Sequence, residues 1–132
     1  MSDLYRKVGT STPDNLITGL NPPVDVVMIT ALKQAAETTL TRGTVLAVIS
    51  GGTNAGKAVI LGTTAGTGET LTPSYILAED VVIGTAADVQ VVAYRSGCFS
   101  PAHVTVKTGY TITAADIDNL RMRNIVFQAY NA

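Results

Sequence analysis

The segment from residue 51 to residue 58, GGTNAGKA, comes closest to a ligand-binding motif in this sequence. It carries the Gly-x-x-x-x-Gly-Lys core of a phosphate-binding loop, with Gly51, Gly56 and Lys57 at the defining positions. In such a loop, backbone N–H groups and the lysine hold phosphate, a Ser or Thr hydroxyl binds magnesium, and a helix begins at once. Here Ala58 offers no hydroxyl, and a β-branched run follows it. The pattern therefore favours a hairpin loop in which Gly and Asn supply left-handed backbone angles, and phosphate binding is the alternative.

The other residues that could do chemistry lack partners at recognisable spacings. The single histidine, His103, has no Asp or Ser at a spacing typical of a catalytic triad. The single cysteine, Cys98, ends an apolar run, which predicts a buried and inert thiol. Glu79 and Asp80 are neighbours, so in an extended strand their side chains point to opposite faces and cannot share a proton. We therefore expect no enzyme activity, no metal site and no cofactor.

Composition excludes several classes of function. The 132 residues suit one domain, and 46% of them are hydrophobic, enough for a packed core. Charged residues make up only 14%, against roughly a quarter in an average soluble protein, which suggests that much of the surface contacts protein. The net charge of -1 provides no basic excess for binding nucleic acid. The sequence has neither a membrane-spanning apolar run nor the apolar stretch of a signal peptide, so we expect no membrane partner and synthesis in a cytoplasm.

Most of the chain reads as short strands separated by turns rich in Gly, Asn and Thr. The predicted strands are residues 24–29, 44–49, 58–61, 75–77, 81–83 and 89–94. Several of these runs are apolar at consecutive positions, which is typical of strands that are covered on both faces. Residues 31–40 are predicted to form one or two helical turns.

A short helix is predicted after Thr113, which can cap its first turn, with Asp116 three residues later near the positive end of the helix dipole. The predicted apolar face comprises Ala114, Ile117 and Leu120. Asn124 is a plausible end, and residues 125–127 return to strand chemistry. A helix of about ten residues is too short to be stable alone, so it must pack on the sheet.

Residues 1–23 differ from the rest of the chain, and we assign them to an extended N-terminal arm that precedes a β domain of residues 24–132. The arm combines turn residues with isolated apolar anchors: Leu4, Tyr5, Val8, Leu16, Ile17 and Leu20. Two interpretations stay open for this segment. It is either a frayed terminus, or an arm that becomes ordered on a partner by adding a strand to a foreign sheet.

A series of segments in a fixed order resembles one protein family. The segments are TRGTVL at residues 41–46, ILAEDV at 76–81, YRSG at 94–97 and LRMRNI at 120–125. In this order they resemble the head decoration proteins of tailed bacteriophages, the phage lambda decoration protein family. The resemblance runs from about residue 24 to residue 127. Asn124 departs from the glycine expected there, but Asn tolerates the same left-handed backbone.

The resemblance implies a mostly β, β-clip-like fold with one or two short helices. It also implies a cementing protein that binds the major capsid protein as a homotrimer. The trimers would stand at local three-fold points on the outer surface of the expanded head and stabilise the shell. The six apolar residues of the arm are then the candidate capsid-binding residues. Two rivals remain: a phosphate- or nucleotide-binding protein using residues 51–57, and a phage surface adhesin module. The adhesin is disfavoured by an aromatic content of 5% without tryptophan.

Overall fold

The computed structural model describes residues 16–19 and 22–128 of the chain. The strands of this part are β1 (Ile17–Gly19), β2 (Asp25–Ala31), β3 (Thr38–Leu40), β4 (Val45–Ser50), β5 (Ala58–Ile60), β6 (Thr70–Leu77), β7 (Val81–Ile83), β8 (Val89–Phe99) and β9 (Ile125–Phe127). The single helix among the described residues is α1 (Ala114–Met122). The predicted mostly β class with a short helix is confirmed. At nine residues, α1 is too short to cross a membrane, and the described residues contain no other helix.

Five of the strands close into a small barrel. The order around the ring is β8, β2, β5, β4, β6 and back to β8, and every pairing is antiparallel except that of β2 with β5. This parallel pairing is limited to Ala31 opposite Ala58, next to a hydrogen bond of 2.9 Å from the Leu32 N–H to the Ala58 carbonyl. The described residues therefore leave most of that edge of β2 unpaired.

Consecutive residues of one strand are buried on opposite faces of the barrel wall. A cluster with members from all five barrel strands fills the interior: Ala31, Leu40, Leu46, Ala58, Leu77, Ile83, Val91 and Ala93. A second cluster draws on only three barrel strands and lies outside the wall: Leu16, Val45, Ala47, Leu61, Ile76, Tyr94, Phe99, Leu120 and Ile125. On β4, Leu46 faces inward while Val45 and Ala47 face outward, as expected for strands that are covered on both faces.

The prediction of helical turns across residues 31–40 is wrong. Ala31 is the last residue of β2, and Thr38–Leu40 forms β3, which pairs antiparallel with β7. Two adjacent threonines favour an extended backbone because their branched side chains lose rotamer freedom in a helix. The pairing with β7 then places Leu40 in the barrel interior, a stabilisation that an isolated helical turn would lack.

Strand β6 is longer than predicted, because it begins at Thr70 rather than at residue 75. It contains Pro73, which has no backbone N–H to donate and normally interrupts a strand. Pro73 lies opposite Ala47, where the register between β4 and β6 shifts after Leu46. Such an irregularity is one of the few places where a sheet tolerates proline.

Helix α1 begins with the predicted cap. The Thr113 hydroxyl accepts a hydrogen bond of 3.1 Å from the Asp116 N–H, and the Asp116 carboxylate accepts one of 3.1 Å from the Thr113 N–H. Asn124, which follows the C-cap residue Arg123, has a φ of 67°, so the left-handed end predicted from its side chain is confirmed.

The predicted apolar face of α1 is only partly correct. Leu120 is buried in the outer cluster, but Ala114 and Ile117 are exposed, and Asp116 is the other buried residue. Asp116 is drawn inward because the Tyr110 hydroxyl donates to its carboxylate. A hydrogen-bonding partner outside the helix therefore sets which face is covered.

Two glycines in the hairpin loop provide a matched test of the packing. Gly51 and Gly56 both have left-handed φ angles, of 85° and 88°. A Cβ on Gly51 would lie 2.3 Å from the Gly68 carbonyl oxygen, whereas a Cβ on Gly56 would meet nothing within 4 Å.

We expect Gly56→Ala to destabilise the protein by about 1–2 kcal/mol, the cost of a left-handed backbone. Gly51→Ala should cost roughly 1–3 kcal/mol more, because the Gly68 loop must move away. Urea unfolding of both variants measures the difference. Equal losses of unfolding free energy would contradict the packing of the two loops.

Candidate protein-binding surface

The described part of the predicted arm is fixed to the barrel. Leu16 is only 1% exposed and belongs to the outer cluster, and its carbonyl accepts a hydrogen bond of 2.7 Å from the Ser100 N–H. Ile17 lies opposite Phe99 in the antiparallel pairing of β1 with β8. The structure thus brings these two predicted capsid-binding residues together as the attachment of the arm to its own domain.

The same attachment joins both ends of the described chain. The Thr18 hydroxyl donates to the Gln128 carbonyl at 2.8 Å and lies 3.4 Å from the Cys98 sulfur. A Cβ on Gly19 would approach that sulfur to 3.1 Å, so the strand packs closely over the thiol. Cys98 is buried, as predicted from its apolar surroundings. It serves packing between the terminal strands.

The other four predicted capsid-binding residues, Leu4, Tyr5, Val8 and Leu20, lie outside the described residues. Contact of the arm with a capsid therefore stays a prediction. Because Leu16 is taken up by the protein's own core, its expected part is to hold the arm in place.

A second surface was not singled out from the sequence: the outward face of β2. Val26 and Met28 are 51% and 60% exposed, and Val24 just before the strand is also exposed. These three alternate positions share one face, whereas Ile29 and Ala31 contribute to the barrel interior. The period-two spacing could have indicated this face. The spacing alone does not show that the outer layer of the structure leaves this face of β2 uncovered.

The outer layer leaves this face bare because it covers other strands. The outer cluster takes its barrel residues from β4, β6 and the second half of β8, and takes none from β2. In the pairing of β2 with β8, Met28 lies opposite Val92 and Thr30 lies opposite Gln90. The Gln90 side-chain amide donates a hydrogen bond of 2.8 Å to the Thr30 hydroxyl. The result is an uncharged, largely apolar strip along a strand whose edge toward β5 is mostly unpaired, which is typical of a surface that contacts protein.

The segment from residue 51 to residue 57 is a hairpin loop between β4 and β5, as favoured from its sequence. The Gly56 N–H donates to the Ile49 carbonyl at 2.7 Å, and Val48 lies opposite Ala58. The chain continues into strand β5, so this loop lacks the helix that a phosphate-binding loop requires.

Lys57, the residue expected to reach phosphate in the alternative interpretation, is paired within the protein. Its ammonium lies 2.7 Å from the Asp88 carboxylate, which also accepts a hydrogen bond from the Lys33 backbone N–H at 2.9 Å. The bond from Lys57 and then that from Lys33 hold the pKa of Asp88 below its ordinary value of 3.8. The cation is used to fix the hairpin against the residues before β8.

His103 has a serine partner that the sequence analysis missed. Its Nδ1 lies 2.8 Å from the Ser100 hydroxyl oxygen, which also accepts the Ala102 N–H at 3.3 Å. These contacts span three residues and close the turn after β8. No carboxylate of the described residues bonds to His103, and that part of the chain contains no group of three potential metal ligands.

Comparison with known proteins agrees with the resemblance noted in the sequence. A family model described as "Bacteriophage lambda head decoration protein D" matches residues 10–125. No curated protein matches the chain. The match includes the barrel and the helix and reaches the first residue of β9.

The Lys57–Asp88 pair gives a prediction for the pKa of Asp88. Lys57→Met should raise this pKa toward 3.8, because the bond to Lys57 is the largest cause of the lowering. Lys33→Met retains the backbone N–H and should have the smaller effect. Since the pKa is lower in the folded state, the pair stabilises the fold above pH 3.8, and this stabilisation disappears as the pH falls through the folded-state pKa. NMR titration of the Asp88 carboxyl carbon measures this pKa in the wild type and in both variants. The same pKa in wild type and Lys57→Met would refute the pairing.

Proposed function

Because this chain belongs to the family of the bacteriophage lambda head decoration protein D, we propose that it cements the expanded phage head as a homotrimer at local three-fold points. Membership of the family makes it a structural component of the virion that binds the phage capsid. The proposal adds the trimer, its position on the outer surface, and the stabilisation of the shell against internal DNA pressure. The observation that carries the proposal is the family match over residues 10–125.

The bare face of β2 supports contact with a neighbouring copy in the trimer. Val26 and Met28 are exposed on a strip that carries no charge, and the chain as a whole has a net charge of only -1. Two copies can therefore approach without strong electrostatic repulsion. Burial of a methionine side chain contributes roughly 1.5–3 kcal/mol at such a contact.

The arm supports contact with the capsid. We propose that the arm pairs as an extended strand with an exposed strand of the capsid protein, and that its apolar residues Leu4, Tyr5 and Val8 contact the capsid there. Leu16 holds the arm to the barrel. Three arms on one trimer make the second and third attachments effectively intramolecular. Linkage of this kind raises avidity by about a hundredfold or more over a single arm.

The experiment that tests the proposal is co-sedimentation of the purified chain with expanded, undecorated heads of its own phage, with unexpanded shells as the control. We expect saturable binding to expanded heads, near one copy per capsid subunit, and increased resistance of those heads to heat. Failure to bind expanded heads would overturn the proposal.

Two truncations separate the arm from the fold. Deletion of residues 1–15 retains β1 and Leu16, so we expect unchanged urea unfolding and head binding that is weaker by about a hundredfold. Deletion of residues 1–19 also removes Leu16 from the core, and it should lower stability by about 2–5 kcal/mol. Unchanged head binding by the first truncation would exclude the arm as the attachment.

A pair of methionine variants tests the β2 face. Met28→Lys places a charge on the proposed copy-to-copy contact and should weaken trimer formation by at least about tenfold. Met122→Lys is the matched control, since Met122 is more exposed but lies at the end of α1. Sedimentation equilibrium measures the trimer in both variants. If both variants form trimers equally well and only Met28→Lys loses head binding, the β2 face contacts the capsid and not a neighbouring copy.

A further inference from the structure

The barrel closes between β2 and β5 through a single residue pair. Among the described residues, this parallel pairing consists of Ala31 opposite Ala58, and the Leu32 N–H donates to the Ala58 carbonyl at 2.9 Å beside it. On its other side, β2 pairs with β8 along its whole length, from Asp25 to Ala31. We call the contact of Ala31 and Leu32 with Ala58 the seam of the barrel.

The side chains at the seam contribute little to keeping it closed. Ala31 and Ala58 are both buried in the barrel interior, but each buries a single methyl group there. Hydrophobic stabilisation is proportional to the apolar area removed from water, so two methyl groups provide little of it. Closure of the seam therefore depends on its backbone hydrogen bond and on contacts that connect its two sides.

One carboxylate makes such a connection. Asp88 immediately precedes β8, and its Oδ2 atom lies 2.7 Å from the Lys57 ammonium. Its Oδ1 atom accepts a hydrogen bond of 2.9 Å from the Lys33 N–H. Lys57 is the neighbour of Ala58 in the chain, and Lys33 is the neighbour of Leu32. Asp88 thus holds a residue on each side of the seam with a different oxygen.

The charged groups that face this carboxylate are cations from the two elements packed against it. They are Lys57, at the start of β5, and Lys33, after the end of β2. The bond from Lys57 and then that from Lys33 hold the pKa of Asp88 below its ordinary value of 3.8, so the carboxylate is charged at neutral pH. As the pH falls through the folded-state pKa, the carboxylate becomes protonated and its ion pair with Lys57 is lost.

We propose that Asp88 is a latch on the barrel, whose protonation or removal lets β2 and β5 separate at the seam while the rest of the fold stays closed. Separation leaves the whole edge of β2 toward β5 without a partner strand among the described residues. An unpaired strand edge is a template for pairing with another chain, so the latch controls how long an edge β2 presents. This inference rests on the fold alone and is independent of the decoration function.

Amide hydrogen exchange of the full chain at about pH 7, followed by NMR, measures opening at single residues. The reporter is the Leu32 amide, which bonds across the seam, and the reference is the Val45 amide, which donates to the Thr105 carbonyl at 2.8 Å. Asp88→Ala removes both contacts of the latch and should lower the protection of Leu32 by about tenfold, with Val45 unchanged.

Two further variants separate the latch from a general effect of charge. Asp88→Asn retains an oxygen that can accept the Lys33 N–H but loses the ion pair, so it should lower the protection of Leu32 less, by about threefold. Asp25→Asn removes the same charge and an ion pair with Arg95 at the other end of β2. It should leave the protection of Leu32 unchanged.

A second arm of the experiment changes the pH instead of the residue. In the wild type, the protection of Leu32 relative to Val45 should fall as the pH is lowered from about 5 to about 3, and in Asp88→Asn this ratio should stay constant. A constant ratio in the wild type would overturn the latch. So would unchanged protection of Leu32 in Asp88→Ala, an equal loss at Val45, or an equal loss in Asp25→Asn.

Discussion

The pairing of β8 with four other strands is the interaction on which the rest of the structure depends. Its eleven residues pair with β1, β2, β6 and β9. The contact with β6, at Tyr94 and Ala93, turns an open sheet into a closed ring. Because consecutive side chains of a strand point to opposite faces, Ala93 joins the interior cluster and Tyr94 the outer one. One strand therefore connects both cores and both ends of the described chain.

The outer layer covers only part of the closed ring, and the part that it leaves uncovered determines which surfaces are available to partners. Helix α1, strand β9 and Leu16 cover the wall over β4, β6 and the end of β8. The covering stops before β2, whose outward valine and methionine side chains stay exposed. An exposed apolar strip on a protein with few charges is typical of a surface that contacts another molecule. A cavity beside α1 arises from the same layer, because Tyr110 holds the carboxylate of Asp116 inward where the loop from β5 approaches the helix.

The phosphate-loop pattern shows how a local motif depends on its surroundings. Gly51, Gly56 and Lys57 have the spacing of a nucleotide site, but a strand follows where a helix would be needed. The glycines serve a tight hairpin, in which Gly51 passes against the Gly68 carbonyl and has no room for a side chain. The lysine pairs with Asp88, which comes from a distant part of the chain. The same residue types thus serve packing and charge pairing within the fold.

The sequence by itself determined the features that arise from neighbouring residues. The mostly β class, the hairpin at residues 51–57, the cap at Thr113 and the left-handed Asn124 follow from local backbone preferences and hydrogen bonds over three or four residues. The ordered segments also indicated the family. Only the tertiary structure decided that β3 is a strand, that β6 continues through Pro73, and that Asp116 is buried at a cavity. It also decided that Leu16 lies in the core and that the outer face of β2 is bare. Each of these features depends on a partner many residues away in the chain. Burial is determined by the residues that the barrel packs together, and the local periodicity of the sequence does not specify those residues.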